Sequence, residues 1–369
     1  MKTSQISSRR GAEAQRGTKD KKFLSLRFGV FARGILTLLF TLFFLLGCPP
    51  AKPSSIEAEA PQQEPFREPR FALCPPSASP GEPVTVCCSG SFVTRGNLRG
   101  LQAVLLNTEG KRLSRAEFFS LPVDALAGSL HEDGGPEIKA AVLAIPSTAT
   151  PSDVTILIES DDGIIHLLPF TIENREFQSE TIHLNQSNTE LRTVPDPQKT
   201  AESEQLWAIL SKTGTEIYSG DQFINPVSSN RRTSAYGDRR IYQYSSGSRD
   251  TSIHAGIDIG VPTGTEVRSC AKGRVVLARS RIVTGNTVVL EHLPGLYSLY
   301  YHMDKIAVSE GAIVEKGTPL GESGSTGLAT GPHLHWEIRV ASEYVDPDVF
   351  LSRPLIDKNE IIAKLGLRE

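Results

Sequence analysis

Five of the chain's eight histidines fall between positions 254 and 335. Three short patterns hold the ones able to do chemistry. The first is His254-Ala255-Gly256-Ile257-Asp258. Ile257, Ile259 and Val261 alternate with Asp258 and Gly260, which predicts a strand with one apolar face. A straight strand would hold the Cα atoms of His254 and Asp258 ~13 Å apart. One metal ion does not easily take both at that distance. The chain must therefore bend near Ala255-Gly256, and glycine permits that. The second pattern is His333-Leu334-His335-Trp336-Glu337-Ile338. Its period of two puts His333, His335 and Glu337 on one face and Leu334, Trp336 and Ile338 on the other. The two imidazoles then stand ~7 Å apart at Cα, which suits one metal ligand and one neighbouring catalytic group. The third pattern is Ser298-Leu299-Tyr300-Tyr301-His302-Met303. Alternation predicts Ser298, Tyr300 and His302 on one face and Leu299, Tyr301 and Met303 on the other.

Two histidines and one aspartate make a sound zinc set, and three protein ligands leave a fourth position for water. Such a metal brings a water toward neutral pKa and polarises a carbonyl. Hydrolysis also needs a proton acceptor and a stabiliser of the tetrahedral oxyanion, roles the two remaining histidines can fill. No H-E-x-x-H occurs, so the helix-borne arrangement of zinc proteases is excluded.

The ordered set H-x-x-x-D, Y-Y-H and H-x-H resembles the M23 family, the lysostaphin-like or LytM-like metallopeptidases. "HAGIDIGVPTGTEV", "SLYYHM" and "GSTGLATGPHLHWEIRV" resemble that domain's blocks and arrive in its order. The resemblance covers roughly residues 225–350. It implies a mostly antiparallel β domain with an open groove. It also implies one Zn2+ per chain, bound by His254, Asp258 and His335. His333 would be the general base, and His302 would help stabilise the oxyanion or shuttle the proton; these two roles could be exchanged. The implied activity is endopeptidase cleavage of stem or cross-bridge peptides in peptidoglycan. The alternative is a non-catalytic wall-binding activator of a separate amidase, because some relatives have lost their ligands. No motif position is replaced in this sequence.

The rest of the chain must position these groups. The fold class expected is mostly β throughout. Residues 70–175 carry short alternating runs between turn residues, which suggests an immunoglobulin-like β-sandwich. Residues 176–220 read as a linker with a helix, on Ala201, Leu206, Ile209 and Leu210. The peptidase-like region is expected over 221–353, with a closing helix at 354–369. His131 and His166 are isolated and read as surface or packed residues.

Residues 1–47 hold nine Lys/Arg and two Asp/Glu, while the whole chain carries 39 and 42. Residues 48–369 therefore hold 30 against 40, a formal charge of −10, and are not a nucleic-acid binder by bulk charge. The basic stretch leads into an apolar run from Ile35 to Leu46, shorter than the ~20 residues of a membrane span. The run ends Leu45-Leu46-Gly47-Cys48, which looks like a bacterial lipobox. Residues 1–47 are thus expected to be a lipoprotein signal peptide, with lipidated Cys48 anchoring the protein to a membrane in the cell envelope. Residues 48–69, rich in Pro, Glu and Ala, read as a disordered tether. Export would permit disulfides, and Cys74 could bridge to Cys87 or Cys88; buried thiols are the other reading.

Several lesser features sit near the motifs. His292 is expected at a hairpin end, and Asn286 in a turn. Arg231, Arg232, Arg239 and Arg240 read as a solvated face or a basic rim. Gly321, Gly324, Gly327 and Gly331 suggest a tight loop lining the cleft. The resemblance also implies that an upstream Asn, here Asn225 or Asn230, could plug the fourth metal position and leave the chain latent. Other cell-wall enzymes are possible partners.

Overall fold

The computed structural model describes residues 70–89, 100–122, 138–161 and 163–367. The signal-peptide, lipid-anchor and tether expectations, and His131, lie outside the described residues. The described residues all fall within one compact unit. The fold is mostly β, as the alternating runs predict.

Upstream, four antiparallel strands run in the order Arg70–Cys74, Pro83–Ser89, Ile138–Ala144, Phe119–Leu121. A second sheet runs Ser77–Ala78, Gly163–Ile172, Ser152–Ser160, Gln102–Leu106, Arg112–Glu117. The two share an apolar cluster containing Val84, Val86, Ala103, Leu105, Ile156 and Phe170. The Pro83–Ser89 strand is buried throughout. Its alternate residue Cys87 joins a different cluster, with Ile257, Trp336 and Ile338 of the C-terminal part. Because strand side chains alternate, this one strand serves two cores. Ile361 and Leu365 of the closing helix, Lys358–Leu365, join that same second cluster. Cys74, Cys87, Cys88 and Cys270 are buried thiols, so of the two readings left open the unbridged one holds.

The main C-terminal sheet runs Arg232–Ser234, Ile257–Ile259, Leu334–Val340, Leu296–Ile306, Gly285–Leu293, Gly273–Arg281, Ile313–Val314, every neighbour antiparallel. Leu334, Trp336, Ile338 and Val340 point into its core. The opposite face is covered in part by the linker helix Pro197–Leu210. That helix starts at an Asp196 cap with proline in its first turn, a favoured start. Its Leu206 and Leu210 pack on Leu277, Val289, Tyr297, Leu299 and Tyr301.

The linker holds more structure than one helix. Ser179–His183 forms a strand parallel to Arg239–Gln243, which pairs with Arg249–Ile253. A short helix, Gln186–Thr193, comes next along the chain, capped by the Asn185 side chain.

Candidate metal centre

Strand register brings the site together. Asp258 lies opposite His335, and His335 lies opposite Tyr301. One row across three strands thus carries all three side chains. His254 reaches the same place because the chain leaves one strand at Ile253 and enters the next at Ile257. The expected bend is there. At Gly256 a Cβ would run into the Trp336 carbonyl, so only glycine passes this close.

His254 Nε2 lies 3.0 Å from His335 Nδ1 and 3.2 Å from Asp258 Oδ1. His335 Nδ1 is 2.7 Å from the same Asp258 oxygen. The three donor atoms therefore converge on one point, and all three residues are buried. Their far atoms are held as well. His254 Nδ1 donates to the Ala235 carbonyl at 2.7 Å. His335 Nε2 donates to Glu337 Oε1 at 3.2 Å. Such outer acceptors fix the tautomer and turn the bare nitrogen inward. Asp258 Oδ2 accepts from Arg240 Nη2 at 2.6 Å, and Glu337 Oε2 accepts from Arg339 Nε at 3.0 Å.

Two imidazole nitrogens and a carboxylate oxygen facing one another demand a positive charge between them. The electrostatic surroundings of the three groups agree. Burial pulls the His335 imidazole down, but its hydrogen bonds to Asp258 and Glu337 outweigh that and raise it to about 9. Burial keeps His254 below its ordinary value against the pull of Asp258. Asp258 is held well below the carboxylate range; burial opposes this, and the hydrogen bonds from both histidines prevail. Burial likewise opposes the lowering of Glu337, which Arg339 and His335 carry to about 2. The nitrogen and oxygen donors, with three protein ligands, fit a divalent metal of the zinc type.

His302 and His333 face each other across the same cavity of about 290 Å³, with ring centroids 4.8 Å apart. His302 Nδ1 donates to the Thr326 carbonyl, and His333 Nδ1 to the Gly331 carbonyl, both at 2.8 Å. Each ring therefore keeps Nε2 as its uncommitted nitrogen. His333 Nε2 is 3.7 Å from Asp258 Oδ1. Burial first, then the neighbouring His333 and His335, lower His302 to about 3.

Of the four glycines Gly331 lines the cleft, within the run Leu328 to His333, and Gly321, Gly324 and Gly327 do not. The facing wall is Glu180, Ile182 and Leu184, from the strand that precedes the site and the residue after it. Asn188 Nδ2 ties the two walls together at the Ala329 carbonyl, 3.1 Å away. Asn225 and Asn230 hydrogen-bond to each other and do not line the cavity, so neither plugs a metal position.

Two expectations are corrected. Tyr300 does not share a face with His302. His302 has φ of 60°, a left-handed residue that breaks the alternation. His302 therefore joins the face of Tyr301, which strand register stacks on His335 with centroids 5.3 Å apart and 9° from parallel, while the Tyr300 hydroxyl meets the Cys270 amide in the core. Arg240 is not a solvated rim residue; it is largely buried between Asp258 and Glu180. His292 does sit at the hairpin end, two residues before the Pro294-Gly295 turn, as a packed histidine bonded to Lys272 O and Ser298 Oγ. His166 stacks on Phe71, away from the site. Asn286 donates to the Asp304 carbonyl beside it. A period-two reading of Arg239–Gln243 could have placed Arg240 and Tyr242 on one face. No sequence signal marks the positive φ of a histidine.

Comparison with known proteins agrees with this geometry. A match to peptidase family M23 covers residues 252–347. Peptidoglycan DD-endopeptidase ShyB of Vibrio cholerae is 40% identical over 93 residues, 25% of this chain and 22% of that protein. DD-carboxypeptidase/endopeptidase Mpg of Neisseria meningitidis is 40% identical over 95 residues, 26% of this chain and 22% of that one. Murein hydrolase activator EnvC of Escherichia coli is 41% identical over 98 residues, 27% and 23% respectively. The chain thus spans about a quarter of the length of these curated relatives. The solved lysostaphin catalytic domain of Staphylococcus simulans is 31% identical, with 33% of this chain and 92% of that one aligned and a TM-score of 0.29. Through residues 252–347 the chain belongs to peptidase family M23.

Proposed function

We propose that the chain is a zinc-dependent endopeptidase that hydrolyses peptide bonds in peptidoglycan stems or cross-bridges. The observation that carries this is the convergence of His254, Asp258 and His335 beside two further imidazoles with uncommitted Nε2 atoms. Relatives named as peptidoglycan endopeptidases support the substrate class. A bound zinc would polarise the scissile carbonyl and acidify a water.

The chain's own residues do the rest. Glu337 and the Ala235 carbonyl hold the ligand rings in place. His333 Nε2 accepts the proton of the attacking water. His302 lies one ring away; with Nδ1 committed to Thr326, its Nε2 donates only after taking up a proton. Burial disfavours that uptake, so His333 carries the proton on to the leaving amine while His302 keeps its bare Nε2 facing the same cavity. Ile182, Leu184 and Leu328 supply apolar walls to the cavity beside the reacting bond.

The N-terminal residues support export as a lipoprotein anchored through Cys48 and working in the cell envelope. The second reading, an activator of a separate amidase, rests on the match to EnvC. An activator has no need of a complete ligand set with two paired imidazoles behind it.

The test uses soluble chain from Arg70, loaded with zinc, on purified sacculi. Mass spectrometry should find new peptide ends that vanish in His333→Ala and in a chelated sample. Stoichiometric zinc without new ends would count against this substrate. Neither zinc nor ends would establish the activator reading.

A further inference from the structure

A second cavity, of about 430 Å³, lies away from the metal centre. Its walls are the edge strand Arg112–Glu117, the C-terminal end of the Pro197–Leu210 helix, and the Pro294-Gly295 and Ala341-Ser342 turns. Ala341 is six residues beyond His335 along one strand, so roughly 20 Å separate the two sites.

Four features mark this cavity. Trp207 lines it and is 60% exposed, although the leucines beside it on the helix are buried. Arg112, Arg115 and Lys212 line it, and none of their side chains has a hydrogen-bond or ion-pair partner among the described residues. Ser114 lies between the two arginines, is only 6% exposed, and lines the cavity. Its hydroxyl is buried with no partner among the described residues, a state that costs free energy. Glu117 and Glu343 complete the polar rim.

The mixture selects the ligand class. A simple anion would meet two carboxylates, and an apolar molecule would meet five charges. A sugar ring offers an apolar C–H face to an indole. Its hydroxyls donate to carboxylates and accept from guanidinium groups, and its acetamido carbonyl accepts as well. We propose that this cavity is a saccharide subsite that holds the glycan strand of the wall polymer. Naming that polymer rests on the peptidase reading above; the saccharide chemistry rests on the cavity alone.

The probe is chitotetraose, a neutral N-acetylglucosamine tetramer with no peptide bond for the metal centre to act on. The zinc-loaded soluble chain is titrated with it and followed by tryptophan emission. The chain has two tryptophans, and Trp336 is fully buried, so Trp207 reports. A saturable change is expected that persists in chelator. Calorimetry should show binding at least tenfold weaker in Trp207→Ala and in Arg115→Ala. No saturable binding overturns the proposal. So does binding that both variants retain, or binding that a chelator abolishes, which would place the sugar in the metal groove. Cleavage of sacculi is measured on the same preparation. Sugar binding without cleavage sinks the peptidase reading and keeps the subsite; cleavage without sugar binding does the reverse.

Discussion

Glu337→Gln should weaken zinc binding by ~30-fold, about 2 kcal/mol at 1.4 kcal/mol per factor of ten. Glu337 makes no contact with the proposed metal position. It accepts from His335 Nε2 at 3.2 Å, and only 4% of it is exposed. Hydrogen bonds to charged groups contribute ~1.5–3 kcal/mol, and outer partners of ligand histidines typically alter metal affinity 10- to 100-fold. Burial of both residues argues for the middle of that range rather than its floor. Two effects act in the same direction here. The neutral amide makes His335 a poorer donor, and one negative charge leaves the neighbourhood of a dication. Arg240 offers no such clean test, since its loss would misorient Asp258 while adding net negative charge. The substitution also leaves the Arg339 guanidinium facing an amide, so melting should fall with and without zinc. Arg339 keeps the Ser342 carbonyl and the Tyr344 ring, 3.3 Å from centroid to guanidinium, so the fold should survive. Competition against a chromophoric chelator, well below the melting midpoint, measures the affinity. A dissociation constant within threefold of the parent, in a variant with native circular dichroism, would refute the claim that Glu337 orients the ligand.

His302→Ala and His333→Ala should each lower sacculus cleavage by ~10²–10⁴ while retaining one zinc per chain by atomic absorption. Loss of metal in either would make that residue a ligand instead. Arg240→Ala should destabilise the chelated protein by ~1.5–3 kcal/mol, because Asp258 loses a charged hydrogen-bond partner and keeps only His335 as its buried counter-charge. Zinc restores a counter-charge, so urea midpoints should show a smaller loss in the loaded protein; equal losses would sink that explanation. Asn188→Ala removes a bond between the two cavity walls, ~1 kcal/mol. If that bond limits substrate entry, cleavage should rise about fivefold, and an unchanged rate would show that the walls part freely.

How far the sequence carried this picture depended on how local each feature is. The His254–Asp258 bend was legible because strand rise alone forbids a straight path, and Gly256 was the residue able to relieve it. The Leu334–Val340 strand was legible because its two faces differ so sharply in polarity. The Ser179–His183 strand was not. Its pairing is parallel, with a partner some sixty residues away, and nothing in its own composition names that partner. The shared core of the upstream and C-terminal sheets was hidden for a similar reason: Cys87 and Val86 read alike as small buried residues, and only the third dimension assigns them to different clusters. His302 and Met303 were misplaced because alternation assumes regular backbone, and one left-handed residue at His302 shifts the assignments from there onward.

That same left-handed residue links the fold to the chemistry. A regular strand would turn His302 away from the face that carries Tyr301 and His335. With φ of 60° it lines the cavity while its amide still pairs with the Thr284 carbonyl at 2.9 Å. Such a conformation costs a β-branched or bulky residue of order 1–3 kcal/mol and persists only where its surroundings dictate it. Here the Thr326 carbonyl grips Nδ1, and Thr326 Oγ1 is itself fixed to the Met303 carbonyl at 2.7 Å. The loop that supplies Thr326 runs on through Gly331, whose carbonyl grips His333. One loop therefore orients both non-ligand imidazoles, as one strand orients His335 and its carboxylate. The strain at His302 is tolerated because it sets two histidines from distant parts of the chain against a single cavity.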